Sequence, residues 1–524
     1  MHGYVARLVI CGLGASLAGC GGGGGDGGDG GGGGGDWTPG VFLPSDSFAA
    51  QCAAPRSGTN PDGGQPYPDV QGTTLDENNF LRSWSDETYL WYDEITDQDP
   101  AGFSNPLAYF EELRTFATTP SGADKDKFHF TFDSDEWFQL SQSGASVGYG
   151  AAWIILAASP PREAVVGYTE PGSPATDPTV NLARGARVLE VDGVSVLDGS
   201  PGALNAGLFP ATAGETHTFV VEDLGANGNT REITMTSEVV TSTPVQNVKT
   251  VASPSGTVGY LLFNDHIATA EEGLVDAVEQ LAGVDELVLD IRYNGGGFLA
   301  IASQIAYMIA GDVPTAGRTF EEIQFSDKHP STDPVTGEPL QPMPFIDTTV
   351  GFSSLPSGQA LPTLDLPRVV VLTGPNTCSA SESIMNALRG VDVEVVQIGS
   401  TTCGKPYGFY PTDNCGTTYF TIQFRGVNDK NFGDYTDGFS PENTSGSAVD
   451  TPVPGCSVAD DFEHALGDPL ERRFDSALQY LGNQSCPAPS GIAGPGLSKT
   501  TAPLSATEGI MPKSPWRENR ILQR

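Results

Sequence analysis

The sequence has few basic residues, few histidines and no long apolar run. Its 26 lysines and arginines face 65 aspartates and glutamates in 524 residues, which gives a formal net charge of −39. A surface this acidic repels phosphate backbones and anionic lipid headgroups, so neither nucleic acid nor such headgroups are expected as partners. The six histidines and eight cysteines form no Cys-x-x-Cys pair and no cluster with zinc spacing. We therefore expect neither a metal nor another cofactor.

The start of the chain predicts export. A short apolar run, residues 8–18, cannot span a bilayer as a permanent anchor and is typical of a signal peptide, which we place at residues 1–19. "LAGC" ends at Cys20 and resembles the bacterial lipoprotein box, which implies lipidation of Cys20; the alternative is an ordinary secretion signal that contains a cysteine. Gly21, where an aspartate would indicate inner-membrane retention, implies the outer membrane. The glycine-rich residues 20–74 predict a flexible tether, so we expect a lipid-anchored protein of the bacterial cell envelope, facing the periplasm or the cell surface.

Six cysteines remain after the export region, an even number that predicts disulfides in an oxidising compartment. Sequence alone leaves fifteen complete pairings open. Loop size favours Cys403 with Cys415 and Cys456 with Cys486.

Composition and periodicity divide the remaining chain into segments. Residues 75–143 carry aromatic and leucine side chains at helical spacing, and residues 144–245 change to short β-type runs. Residues 246–486 alternate apolar strands with amphipathic helices, which predicts an α/β core and an α+β, multidomain chain overall. Residues 312–366, rich in Pro, Thr and Asp, predict an insertion over that core, and residues 487–524 predict a disordered tail.

Three apolar strands of the predicted core each lead into a turn that contains candidate functional residues. The first ends in the glycine turn that holds Gly295 and Gly296, whose backbone amides can approach a ligand closely. The second leads to Ser379 and Ala380 at the start of a helix, and the third leads to Lys405. Because the carboxyl ends of parallel strands meet at one sheet edge, we expect these turns to converge.

Ser379 has two interpretations at this stage. A serine at a helix start can simply cap the helix. It can also act as a nucleophile that benefits from the helix dipole and from neighbouring amides. Ser381, Cys378 and His266 are the alternative reactive groups, although we expect Cys378 to be in a disulfide and His266 to be structural.

The segments "LVLDIRYNGGG", "VVVLTGPNTCSASESIMNALRG" and "VVQIGSTTCGKPYG" resemble, in order and spacing, the C-terminal processing (tail-specific) serine peptidases. The resemblance covers about residues 75–485 and implies a core of the ClpP/crotonase type. It implies an endopeptidase in which Ser379 is the nucleophile and Lys405 the general base. A lysine has an ordinary pKa of about 10.4, so this role requires dry surroundings for its amine.

The same resemblance implies roles for further residues. The amides of Gly295 or Gly296 and of Ala380 would form the oxyanion hole, and Glu382 and Thr402 would support the site. Many relatives carry a glutamine where this chain has Phe409. Gln423 and Asp434 are the candidates to replace it.

Residues 144–245 resemble a PDZ domain through "SVGYGAAWI" followed by "EPGSPATDPTVNLARGARVLEVDGVSV". Ala186 stands where that pattern has an aspartate. The resemblance implies that substrate C-termini add to a sheet edge. Their carboxylate would be received by the loop residues Val147, Gly148, Tyr149 and Gly150.

Two other functional classes stay open. A catalytically degenerate relative would act as a peptide-binding adaptor. An esterase or amidase is less well supported because no Gly-x-Ser-x-Gly elbow is present. The sequence leaves the natural substrate and the oligomeric state undetermined.

Overall fold

The computed structural model describes residues 37–61, 64–352, 354–444, 451–487, 511 and 520–521. The predicted signal peptide, the lipidation site Cys20 and most of the predicted tail lie outside the described residues. The described residues from Pro39 onward belong to one compact unit, which contains every element below. Within the described ranges no helix combines the length and the apolar character needed to cross a bilayer.

The described residues include the α-helices α1 (Thr74–Thr88), α2 (Pro106–Phe110), α3 (Ser134–Ser143), α4 (Pro201–Leu208), α5 (Ala270–Gln280), α6 (Leu299–Ala310), α7 (Asp312–Thr315), α8 (Ala380–Gly390) and α9 (Arg472–Asn483). The strands are β1 (Gln51–Cys52), β2 (Val70–Gln71), β3 (Phe130–Asp133), β4 (Ala145–Gly148), β5 (Ala151–Ala157), β6 (Glu163–Thr169), β7 (Arg187–Val191), β8 (Val194–Ser195), β9 (Thr216–Glu222), β10 (Arg231–Thr236), β11 (Glu238–Thr241), β12 (Val245–Ser253), β13 (Gly256–Phe263), β14 (Glu286–Asp290), β15 (Gly297–Phe298), β16 (Thr319–Gln324), β17 (Met343–Pro344), β18 (Arg368–Thr373), β19 (Glu394–Gly399), β20 (Tyr407–Gly408), β21 (Thr412–Asn414), β22 (Thr417–Phe420), β23 (Phe424–Val427), β24 (Phe439–Pro441), β25 (Thr451–Val453), β26 (Gly455–Ser457) and β27 (Arg520–Ile521).

The N-terminal region is built on α1. A capping box starts this helix, because the Asp76 amide donates to Thr73 Oγ1 (3.3 Å) and the Thr73 amide donates back to Asp76 Oδ2 (2.9 Å). Its apolar face packs Trp84 against Phe110 and Tyr419. Aromatic residues at helical spacing therefore form a core here.

Residues 145–241 form a β-rich unit. Its main sheet has the strand order β10-β9-β7-β6-β5, with β8 paired to β7, while β4 pairs with β11. The core between this sheet and α4 contains Trp153, Phe219 and Leu204.

The central sheet of the larger domain has the order β12-β13-β14-β18-β19-β26 and is parallel from β13 to β26. Alternate strand residues point to opposite faces. Leu289 and Val371 face the cluster that contains α5, α6 and α8, whereas Val288 and Val370 face the cluster that contains α9. Because helices cover both faces of the central sheet, its strands are apolar along their whole length.

Residues 312–366 pass over this domain and are anchored to it. β16 pairs antiparallel with β23. The carboxylate of Glu271 on α5 accepts hydrogen bonds from Gln304 Nε2 (2.6 Å) and from the amides of Val350 (2.5 Å) and Phe352 (2.9 Å).

Three disulfides are present in the described residues, and they correct one predicted pairing. Cys456 pairs with Cys486 as expected. The expected Cys403–Cys415 bond is wrong: Cys403 pairs with Cys378 and Cys415 pairs with Cys52, with Cα–Cα distances of 5.1 and 5.4 Å. The ends of β18 and β19 bring Cys378 and Cys403 together, and the hairpin turn that holds Cys415 lies against β1. The pairing therefore follows proximity in the fold and not the short sequence separation of Cys403 and Cys415.

Candidate active site

Three turns meet at the carboxyl edge of the central sheet. β14, β18 and β19 are adjacent parallel strands, so their following turns lie side by side. The Asn294 carbonyl, in the glycine turn, accepts the Cys378 amide (3.1 Å) and Ser381 Oγ (3.0 Å) of the serine turn. The Cys403 amide of the lysine turn donates to the Thr377 carbonyl of the serine turn (3.0 Å). Backbone hydrogen bonds therefore hold all three turns in one arrangement.

Ser379 occupies a strained position directly before α8. Its φ of 60° and ψ of −116° lie outside the regions that L-residues prefer, which costs about 1–3 kcal/mol. The side chain is fully buried, and its Oγ forms no hydrogen bond within the residues that the structure describes. Ser379 is also the N-cap residue of α8, and its side chain faces the Glu382 amide in a capping-box arrangement. The Oγ of Ser381, in contrast, donates to the Asn294 carbonyl.

Glu382, in the first turn of α8, connects the serine turn to the lysine turn. Its Oε2 accepts the amides of Ser379 (2.9 Å) and Lys405 (2.8 Å). Its Oε1 accepts the Gly404 amide (2.9 Å) and Thr402 Oγ1 (2.5 Å). Burial raises the pKa of the Glu382 carboxyl, and these four hydrogen bonds oppose that rise. The carboxylate thus fixes the backbone on both sides of the site, and Thr402 contributes through it.

Lys405 is fully buried. Its Nζ lies 4.4 Å from the ring centre of Phe128 and 4.9 Å from that of Phe409. Phe409, at the position where a glutamine was anticipated, therefore presents a ring to the amine. Rings of this kind exclude water from the site.

The candidates proposed to replace that glutamine make other contacts. Gln423 Oε1 accepts the Tyr410 amide (2.7 Å), and its Nε2 approaches Thr88 Oγ1 (3.5 Å). The Asp434 carbonyl accepts Thr451 Oγ1 (3.2 Å). These contacts assign neither residue to the lysine.

The glycine turn holds two candidates for the oxyanion hole, Gly295 and Gly296, and the hydrogen bonds of their amides distinguish them. The Gly296 amide donates to Asn294 Oδ1 (3.0 Å), so that amide is already used. Gly295 is buried in the same turn. Ala380 is the first residue of α8, a position whose amide has no partner inside its helix. Gly295 and Ala380 are therefore the better-placed pair of donors.

His266 and Asn294 shape this glycine turn. His266 Nδ1 lies 2.9 Å from Asn294 Oδ1, and the His266 amide donates to the Gly296 carbonyl (3.1 Å). Gly297 has a φ of 134°, and a Cβ there would lie 2.3 Å from the His266 carbonyl oxygen, so only glycine fits. The structural interpretation of His266 agrees with these contacts; the bracing role of Asn294 has no sequence signal beyond its place after a strand.

The cysteines flanking the site are not reactive thiols. Cys378 and Cys403 form a disulfide between the serine turn and the lysine turn. Their sulfurs and a Glu382 oxygen lie within 4.8 Å of one another, but sulfurs in a disulfide offer no thiolate to a metal or to a substrate. This bond removes the alternative of Cys378 as nucleophile.

The four residues expected to bind substrate C-termini lie at the start of the β-rich unit. Val147 and Gly148 belong to β4 and are paired with Val239 and Glu238 of β11. The Tyr149 ring is buried, and its hydroxyl donates to the Gly207 carbonyl on α4 (2.9 Å). Gly150 follows with a φ of 74°. β4 and the turn into β5 thus hold all four residues.

Ser379 is thus buried in a strained turn beside the glycine turn, and Glu382 connects it to the turn that holds the buried Lys405. Two regions of the chain match known family models. Residues 257–412 match the model of peptidase family S41, and residues 76–131 match that of the peptidase S41 N-terminal domain. These two regions of the chain are therefore similar to peptidase family S41 and to its N-terminal domain.

Similar proteins include the chloroplastic C-terminal processing peptidase of Tetradesmus obliquus, 32% identical over 161 residues. That match covers 28% of this chain and 34% of the relative, so the chain spans about a third of its length. A solved S41 protease from Bacteroides fragilis NCTC 9343 is 22% identical and covers 80% of this chain and 98% of its own, with a TM-score of 0.58. It shares the fold. A structure of the photosystem II D1 C-terminal processing protease is 20% identical and covers 80% of this chain and 99% of its own, with a TM-score of 0.43.

Proposed function

We propose that this protein is a serine endopeptidase with a Ser379–Lys405 dyad. The observation that carries the proposal is the convergence of two buried groups: a strained serine whose hydroxyl makes no hydrogen bond among the described residues, and a lysine amine among aromatic rings. Four hydrogen bonds to Glu382 fix the backbone around both residues. Such fixed geometry is what covalent catalysis requires.

The reaction follows from these positions. Ser379 Oγ attacks the carbonyl carbon of the substrate peptide while its proton passes to the neutral amine of Lys405. The oxygen of the tetrahedral intermediate takes hydrogen bonds from the amides of Gly295 and Ala380. The intermediate then collapses, the C–N bond breaks, and Lys405 returns the proton to the leaving amine. Water attacks the resulting ester of Ser379 with Lys405 again accepting the proton. The ester C–O bond then breaks, Lys405 returns the proton to Ser379 Oγ, and the N-terminal product is released.

The β-rich unit is proposed to act as a PDZ-like module for substrate C-termini. Its sheet and the placement of Val147, Gly148, Tyr149 and Gly150 at one corner support this role. The export pattern of residues 1–19 and Cys20 supports a lipid-anchored location in the cell envelope, with the anchor in the outer membrane. Globomycin-sensitive processing with lipid label on Cys20 is the expected result. A mature form without lipid would contradict the anchor.

The Ser379→Ala variant tests the dyad, with Ser381→Ala as its matched control. On an unfolded protein substrate we expect Ser379→Ala to lower kcat by at least about 10³-fold, because the nucleophile is lost. Ser381→Ala removes only the hydrogen bond to Asn294 and should retain activity within about tenfold. Equal activity of Ser379→Ala and the parent would overturn the dyad. Full inactivity of the parent under varied conditions would favour the peptide-binding adaptor.

A further inference from the structure

The last described residues of the chain lie beside the candidate site. β27 (Arg520–Ile521) pairs parallel with β15 (Gly297–Phe298), with Arg520 opposite Gly297 and Ile521 opposite Phe298. β15 directly follows the glycine turn that holds Gly295. The C-terminal segment is therefore added as a strand next to the proposed oxyanion hole.

The same short strand also approaches the other side of the site. Cα atoms of β27 come within 8 Å of those of β20 (Tyr407–Gly408), which begins two residues after Lys405. β27 is thus close both to the strand that follows the glycine turn and to the strand that follows the lysine. In the proposed mechanism the substrate carbonyl lies at the oxyanion hole that precedes β15, so a bound substrate peptide would compete for this space.

A third contact ties the C-terminal segment to the serine turn. Met511 is 3% exposed and packs in the cluster that contains Tyr168 and Tyr293. Its amide donates to Asn376 Oδ1 (3.0 Å), and Asn376 lies three residues before Ser379. Described residues of the segment therefore contact or approach all three turns of the site.

Charge favours this placement as well. Residues 487–524 contain five basic and two acidic residues, whereas residues 1–486 contain 21 basic and 63 acidic residues. Burial raises the pKa of the Tyr407 phenol. The carboxylates of Asp434, Asp126 and Asp437 raise it further and the guanidinium of Arg425 lowers it, so among these groups negative charge outweighs positive charge near β20. A basic segment is attracted to such a surface.

We propose that β27 (Arg520–Ile521), with Met511 as a second attachment point, is an intramolecular ligand of the substrate cleft and competes with substrate there. The inference rests on the proposed peptidase function for its effect on rate, but its binding step does not depend on catalysis. Backbone pairing with β15 supplies the binding, so the occupant is an extended peptide. The sequence-based expectation of a disordered tail does not describe Met511, Arg520 and Ile521.

A pair of full-length variants tests the competition. Arg520→Pro with Ile521→Pro removes both amides of β27 and prevents the pairing. Arg520→Ala with Ile521→Ala removes the same side chains and keeps the amides, so it is the matched control for the pairing. We expect the proline variant to have a higher kcat/KM on an unfolded protein substrate than both the parent and the alanine variant.

A synthetic peptide of residues 511–524 makes the expectation quantitative. In the proline variant that also carries Ser379→Ala, the fluorescence of Trp516 in the peptide should report saturable binding, and unlabelled substrate should displace it. A tethered segment has an effective concentration of roughly 1 mM. A peptide that binds with a Kd of about 100 μM then predicts about tenfold activation of the proline variant.

The outcomes separate this inference from the proposed function. Peptide binding together with activation of the proline variant supports the inference. Measurable and equal kcat/KM in parent and proline variant, or absence of peptide binding, overturns it and leaves the dyad intact. If the peptide binds and is displaced while no variant cleaves any substrate, the cleft is supported as the ligand site and the peptidase function fails.

Discussion

At the scale of single residues, Glu382 determines the geometry of the site. It is the only acceptor, among the contacts given above, shared by the amides of Ser379, Gly404 and Lys405. A carboxylate accepts from all of them, whereas an amide side chain must point its NH₂ group at one of these donors. Glutamine at this position would therefore separate the two turns.

We predict that Glu382→Gln lowers kcat by about 10–100-fold with a smaller change in KM, because misplacement of reacting groups mainly affects the chemical step. Steady-state kinetics on a peptide substrate would measure both parameters. Ser383→Ala is the control, since the Oγ of that neighbouring serine only approaches the Ser379 carbonyl (3.4 Å). A proportional rise in KM with unchanged kcat would contradict a positioning role.

The raised pKa of Glu382 also predicts a pH dependence of stability. The folded chain binds this proton more tightly than the unfolded chain does. The resulting stabilisation is complete below the ordinary carboxyl pKa and is lost as pH rises through the raised value. We predict that Glu382→Gln removes this part of the pH dependence. Urea unfolding of both proteins over a series of pH values would measure it, and identical slopes would contradict it.

At the scale of elements, the Cys378–Cys403 disulfide joins the serine turn to the lysine turn. We predict that Cys378→Ala with Cys403→Ala lowers the unfolding free energy by about 3 kcal/mol, as expected for a loop of this size, and also lowers kcat. Cys456→Ala with Cys486→Ala is a matched control, because the sequence separations are similar at 25 and 30 residues. The control should lose similar stability and keep its kcat. Equal kcat in both pairs would contradict a role of the first disulfide in holding the site.

The helices and strands also show which parts of the fold and of the site could be predicted from the sequence. The apolar strands that lead to Gly295, Ser379 and Lys405 could be predicted because each is a short run bounded by turn residues, and their convergence follows from parallel pairing. The ring of Phe128 beside Lys405 could not be predicted, because it comes from a distant part of the chain. The Cys52–Cys415 pairing was missed for the same reason, with a sequence separation of 363.

At the scale of the whole molecule, Arg184 connects the β-rich unit to the larger domain, which contains the central sheet. Its guanidinium donates to Asp460 Oδ1 (2.8 Å) and to the Tyr293 hydroxyl (2.7 Å), beside the glycine turn. Arg292 donates to the same Asp460 oxygen (2.8 Å) and to Glu471 Oε1 (2.7 Å). Burial tends to raise the pKa of Asp460, but the surrounding arginines hold that pKa well below its usual range.

We predict that Arg184→Gln lowers the unfolding free energy by about 3–5 kcal/mol, because it breaks a buried ion pair. Arg187→Gln is the control on the neighbouring strand, since the ion pair of Arg187 with Glu163 is partly exposed and is worth about 0–1 kcal/mol. Limited proteolysis would also show whether the β-rich unit of Arg184→Gln is released from the larger domain. Equal stability of the two variants would contradict a coupling role for Arg184.

The central claim is that Lys405 activates Ser379. Reaction with a fluorophosphonate, followed by mass spectrometry, measures this directly, because the reagent labels only an activated serine. The account predicts a single label on Ser379 in the parent chain and a loss of at least about 10³-fold in labelling rate in a folded Lys405→Ala variant. Labelling that is unchanged in Lys405→Ala, or that falls on another residue, would contradict it.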